Sequence, residues 1–242
     1  DTVLSRGLGD VYKRQTIRRK GIMTNNEPVK QATADSKTKK PEKDGMQRIL
    51  LAAIDEFCRA GLAGAKLDVI ALEAGVSKQL IHHYYRTKAE LYVAVIDHIT
   101  KQAIEILEAL DYESCSPEES LRVFLEQVFD FFVHWPFLAG LYNDQGLYGG
   151  EHMPECRELI SRSPALMHRL EKAFLEGQSQ GVFAKDLDAK ESIAASLMVV
   201  IGCFTNSPIM SSLIPTDFSD NTIIQRWRSF SVDFAIRAIR VS

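Results

Sequence analysis

Apolar residues recur at helical spacing along most of the chain from residue 46 onward. Ile49, Leu50, Ala53, Ile54 and Phe57 predict a helix over about 47–59, which Gly61 and Gly64 bring to an end. Leu67, Ile70 and Ala71 form one face of a short second helix, stopped at Gly75, a position suited to a left-handed cap. Ser77 is the expected N-cap of a third helix over about 78–84. Thr87 opens a long fourth helix, and Glu90 three residues on completes a capping box before Leu91, Val95 and Ile99. Further helices are expected from Pro117 to about His134, over about 137–147, over 164–180 (closed by Gly181), over 189–205 and over 220–239. Strict alternation is absent, and so is the rhythm of strands and helices that a parallel sheet requires. The expected fold is all-α: a three-helix helix-turn-helix domain, then a helical regulatory and dimerisation domain, about nine helices in total.

One segment departs from the amphipathic norm. Residues 193–204 (IAASLMVVIGCF) contain no charge and several small side chains. A surface helix would show a charged face, so this one is buried, in the core of one subunit or against a second.

Composition narrows the class. The chain is 45% hydrophobic and 25% charged, ordinary for a globular protein, and its net charge of −3 excludes a generally basic nucleic-acid coat. Sign is unevenly spread: residues 1–48 carry an excess of Lys and Arg, and the remainder is acidic. A basic arm before an acidic body suits a protein that meets phosphates at one end, and it equally suits a solubilising tail. Cys58, Cys115, Cys156 and Cys203 are scattered without ligand spacing, so neither a metal site nor a disulfide framework is expected. Apolar runs stay well short of a membrane span and no signal peptide is apparent, so the expected compartment is the cytoplasm. Residues 1–22 read more like translated adapter sequence than a domain, and Met23 is the expected natural start. The expected division is an arm over 1–45, a helix-turn-helix domain over 46–92 and a ligand-binding and dimerisation domain over 93–242.

The segment 67–85 (LDVIALEAGVSKQLIHHYY) carries the functional signal. Two short helices meet at a tight Gly75 turn, with Ala71, Val76 and Ile81 spaced to pin one across the other. In that arrangement the second helix offers its outward side chains to the major groove. The exposed set would be Lys78, Gln79, Leu80, His82, His83 and Tyr84. Gln pairs bidentately with adenine, Lys donates to guanine, and an outward Leu80 would meet a thymine methyl. Tyr84 and Lys88 suit phosphates. Adjacent His82 and His83 point about 100° apart on a helix, which disfavours joint chelation of a metal.

From about Met46 to Ile99 the sequence resembles the DNA-binding domain of the TetR family of bacterial transcriptional regulators. The resemblance runs through RILLAAIDEFCRAGL and VIALEAGVSKQLIHHYYRTKAELYVAVI. It implies a homodimer on a palindromic double-stranded operator, usually a repressor, with a small-molecule pocket in the following helices and the last two helices forming a four-helix interface. On the matching positions, Lys78, Gln79 and Leu80 would read bases, with His83 among base and phosphate contacts. Tyr84 and Lys88 would touch the backbone, with Ser77 beginning the recognition helix. His82 stands where many members have a phosphate-reaching Tyr, and an imidazole is shorter. Ala65 stands where members often have a capping Thr, and Lys66 is expected to supply charge there without the cap. The basic residues Lys37, Lys39, Lys40, Lys43 and Arg48 are expected to drape over phosphates or a flanking minor groove.

Candidate walls for a pocket are Phe129, Phe132, Phe137, Leu141, Tyr142, Phe174 and Phe204, with His134, Trp135 and His168 as polar handles. Each is equally a core residue by type, and the aromatic density suits an apolar or planar effector. Leu197, Val200, Ile201, Phe204, Trp227, Phe230 and Phe234 are the candidate dimer contacts. The chain shows no nucleophile motif, phosphate loop or dinucleotide fingerprint, so neither an enzyme nor a cofactor is expected. A ligand-dependent activator is the alternative regulator, and a helical scaffold without DNA binding is the alternative class.

Overall fold

The computed structural model describes residues 40–241 apart from 113, 136–137 and 219, with side chains from residue 44 onward. The arm over 1–39, the Lys40 and Lys43 side chains and Phe137 therefore lie outside the described residues. Residues 42–242 make one compact unit. Its α-helices are α1 (Lys40–Gly64), α2 (Leu67–Ala74), α3 (Lys78–Tyr84), α4 (Lys88–Glu108), α5 (Pro117–His134) and α6 (Leu138–Leu147). A 3-10 turn (Met153–Glu155) follows, then α7 (Arg157–Ser179), α8 (Ala189–Thr205), α9 (Ser207–Leu213) and α10 (Asn221–Ile239). Among the described residues the only extended pairing is a single antiparallel bridge between Phe183 and Arg240. The fold is all-α.

Among the described residues ten α-helices stand where about nine were expected, and the differences have physical causes. The first helix begins at Lys40, in a polar stretch that carries no apolar period. Helix α7 begins at Arg157, earlier than the expected start at 164, and takes Pro164 into its interior. Helix α9 is one short run, SPIMSSL, with its proline in the first turn. The short helix was too brief to show a period.

Two apolar clusters lie in this unit. The first, the head, gathers Ile49, Ala53, Phe57, Ile70, Ala71, Ile81, Leu91, Tyr92, Val95 and Ile99 from α1 to α4. Leu141 and Cys156 reach into it from further along the chain. The second, the body, gathers Phe124, Phe129, Phe131, Leu170, Phe174, Val200, Val232 and Ile236 from α5, α7, α8 and α10, with Phe183 from the link between α7 and α8. Helix α4 belongs to both, with Leu91 to Ile99 in the head and Leu107 in the body. Its register therefore ties one core to the other.

Candidate nucleic-acid interface

Helices α2 and α3 are eight and seven residues long, too short to persist on their own, and their ends decide their pose. Gly75, at φ 64° and ψ 41°, ends α2 and returns its N–H to the carbonyls of Ala71 and Leu72. A side chain at that left-handed angle would be strained. The Ser77 hydroxyl then accepts the Leu80 N–H at 3.2 Å and starts α3. Ile81 is buried against Ile70, Ala71 and Ala74, with Val76 partly buried beside them. That anchor turns the opposite side of α3 outward.

Of the residues expected to read DNA, Lys66, Ser77, Lys78, Gln79, His82 and His83 are exposed, and Tyr84 and Lys88 are partly so. Several of them have protein partners. The Lys78 ammonium pairs with Asp68 at 3.0 Å on α2. Lys88 Nζ donates to the carbonyls of Ala63 and Ala65, both at 3.0 Å. Leu80 is partly buried on the head cluster, within reach of Gly45, so it faces α1 rather than open groove. Gln79, His82 and His83 thus point outward from α3, with Tyr84 edge-on to His83 at 5.3 Å. The capping box at α4 is shifted by one residue: Thr87 Oγ1 accepts the Glu90 N–H, and the Glu90 carboxylate accepts that of Arg86.

Two residues act in ways the sequence did not disclose. Arg48, assigned above to phosphates, donates to the Ala74 carbonyl at 2.7 Å and so closes the end of α2. Glu56, only 4% exposed, accepts the Lys66 N–H at 3.0 Å, where local capping chemistry is missing. Neither partner is near in sequence, so no local pattern signals the bond.

A polar cluster fastens α6 to the head. Asp144 Oδ2 accepts the Tyr92 hydroxyl at 2.5 Å and the Leu62 N–H at 3.1 Å. Gln145 donates to the Tyr92 oxygen at 3.1 Å and lies 3.5 Å from His152 Nδ1. Burial holds the Tyr92 phenol well above its ordinary pKa, and the bond to Asp144 adds to the effect. Gly61, at φ 64°, ends the regular part of α1 here, and a Cβ on it would lie 2.6 Å from Asp144 Oδ1.

The aromatic set proposed as pocket walls is distributed over three environments. Phe129 and Phe132 pack against Phe204 at 4.8 and 5.2 Å between ring centres, and Phe174 stacks on Phe183. Trp135 stacks on Phe131, Leu141 sits in the head cluster, and Tyr142, His134 and His168 are exposed. A cavity bordered by Phe124, Phe174, Ser192 and Ser196 has a volume of about 10 Å³, scarcely room for one water. Of the residues proposed for dimer contact, Val200 and Ile201 are buried inside the subunit, and Leu197, Phe204 and Trp227 are partly buried. Phe230 and Phe234 on α10 are each 55% exposed, and Met198 on α8 is exposed as well. No single helix among the described residues is long and apolar enough to cross a membrane.

The family model for bacterial regulatory proteins of the TetR family matches residues 49–95, and a tetracyclin repressor-like C-terminal domain model matches residues 117–235. The chain is 26% identical over 195 residues to the HTH-type transcriptional repressor NicS of Pseudomonas putida, covering 79% of this chain and 91% of that one. It is 30% identical over 148 residues to the HTH-type transcriptional repressor SCO4008 of Streptomyces coelicolor, covering 60% and 70%. Among solved structures, the putative transcriptional regulator SCO4942 of Streptomyces coelicolor superposes with a TM-score of 0.61 at 25% identity, over 80% of this chain and 97% of that one. With the helix-turn-helix built as described and both halves of the chain matched, the protein belongs to the TetR family and is a sequence-specific DNA-binding regulator.

Proposed function

We propose that the protein is a homodimeric repressor that holds a two-fold symmetric operator and is released by a small apolar or aromatic effector. It is a binding protein without a catalytic step. The observation that carries this reading is α3, anchored by buried Ile81 and presenting Gln79, His82 and His83 to a major groove. Repression is supported by the two relatives described above, both named repressors. A dimer is supported by the exposed apolar residues Met198, Phe230 and Phe234 on α8 and α10. Joining two copies on that face gives two recognition helices, whose separation must match successive major grooves about 34–36 Å apart.

The reading also gives the body a task. The Phe129, Phe132 and Phe204 cluster is the apolar set that an effector parts on entering the body. Movement passed to α6 is felt by the head through Asp144, which holds the Leu62 N–H and the Tyr92 hydroxyl. The effector shifts the population only in so far as it prefers the dimer that cannot bind DNA.

Selection of random duplexes by the purified full chain, followed by sequencing of the bound fraction, tests the reading. An enriched two-fold symmetric motif that lowers transcription when placed in a promoter supports it. Enrichment of an asymmetric motif, or a motif through which the protein raises transcription, overturns it.

A further inference from the structure

We propose that Glu56 is a positioning residue for DNA recognition, its buried carboxylate acting as a long-range cap that sets the start of α2 and thereby the pose of α3. Lys66 is the N-cap residue of α2, and its side chain makes no capping bond. The acidic residue of the first turn, Asp68, is engaged with Lys78. In an ordinary capping box, a Glu or Gln three residues into the helix would accept the N-cap N–H. That position is Val69, which has no acceptor. Glu56 Oε1 takes the Lys66 N–H instead, at 3.0 Å and from ten residues earlier on α1.

The carboxylate is built in rather than incidental. Its second oxygen receives Arg59 Nε at 3.0 Å and Nη2 at 2.6 Å. Its side chain is 3% exposed, while that of Arg59 is 54% exposed, so the negative charge has left water and the positive one has not. A buried carboxylate is unfavourable unless its lone pairs are met, and here the backbone N–H of the corner meets one of them. On the acceptor side of the same corner, Lys88 Nζ binds the carbonyls of Ala63 and Ala65. The link between α1 and α2 is thus held by one charge of each sign, from α1 and from α4. Helix α2 passes that constraint on, because it meets α3 at Gly75 and shares a buried face with Ile81. Base-edge hydrogen bonds are directional, so a small rotation of α3 weakens sequence reading more than it weakens attraction to phosphates.

The proposal rests on the DNA-binding reading and is tested on the full chain, at a temperature where all variants are folded by circular dichroism. Glu56→Ala, Glu56→Gln and the double variant Glu56→Ala with Val69→Gln are titrated with the duplex that the wild type enriches and with an unrelated duplex. Glu56→Ala is expected to lose about tenfold in affinity for the enriched duplex, as one lost cap implies, with unrelated duplex bound as before. Glu56→Gln keeps the accepting oxygen and stays within about threefold of wild type, and Val69→Gln restores an acceptor and recovers most of the loss. Equal losses on both duplexes, or full affinity of Glu56→Ala for the enriched one, overturn the proposal. If the wild type enriches no motif, amide exchange at Lys66 decides. Protection lost in Glu56→Ala and kept in Glu56→Gln supports the cap, and protection unchanged in Glu56→Ala overturns it.

Discussion

Charged side chains do different work in the two halves of this molecule. In the head they serve the main chain: Arg48 closes the end of α2, Glu56 its beginning, and Lys88 the carbonyls between α1 and α2. In the body several arginines pair with carboxylates instead. Arg122 pairs with Asp233 and Glu118, Arg228 with Asp130 and Glu126, Arg162 with Glu105, Glu108 and Glu158, and Arg240 with Glu118. The difference follows from helix length. Two of the head's helices have only seven or eight residues, so most of their N–H and C=O groups are terminal and need partners. The long body helices α5, α8 and α10 cap themselves locally with Ser116, Asp188 and Asp220, and need charges only to set which faces meet. Under the function proposed above, that division suits a reading head held in one pose by bonds to its own backbone.

The largest effect should come from the cores that both kinds of charge decorate. Phe57→Ala in the head and Phe129→Ala in the body should each lower stability by about 3–5 kcal/mol in urea titrations. Because α4 runs through both clusters, each variant should still unfold in one transition. Two separated transitions would break the view of head and body as a single cooperative unit. The next test sharpens the contrast between charges. Arg48→Ala should lose about 1–2 kcal/mol and keep that loss in high salt, since it leaves a helix carbonyl without its partner. Arg240→Ala, removing a half-exposed pair with Glu118, should lose less than about 1 kcal/mol, and added salt should erase the difference. The smallest change in stability is expected for Asp68→Asn, under about 0.5 kcal/mol because both partners are well exposed. Freeing Lys78 should nevertheless tighten DNA binding and steepen its dependence on salt, measured by titrating the same duplex at several salt concentrations. Unchanged affinity would mean that Lys78 faces away from the phosphates.

Much of the head was legible because its signals are local. The spans Leu67–Ala74 and Lys78–Tyr84, the Gly75 turn, and the Ser77 and Thr87 caps stand where the sequence placed them. Burial was less legible. Leu80 has the right spacing for an outward reader, yet it lies against α1, which only the packing of α1 across α3 decides. Likewise Val200 and Ile201 belong to the uncharged segment 193–204, which left open whether its own core or a partner subunit covers it, and they face the core of their own subunit. The helix shows both outcomes at once, since Met198 on the same turn is 66% exposed. An apolar period reveals how much of a helix is buried and leaves open what covers it.

The sequence by itself determined the all-α class, the helix-turn-helix and the family, since each rests on periodicity, caps and turn residues within a few positions of one another. Only the tertiary structure decided which charges hold the reading head in place. The partners in those bonds lie ten residues apart for Glu56 and Lys66, 26 for Arg48 and Ala74, and 82 for Leu62 and Asp144. In each, one partner is a backbone N–H or C=O group, which every residue but proline carries in the same form. No residue type marks a main-chain group for its distant partner, so such a bond becomes visible only when the chain has closed around it.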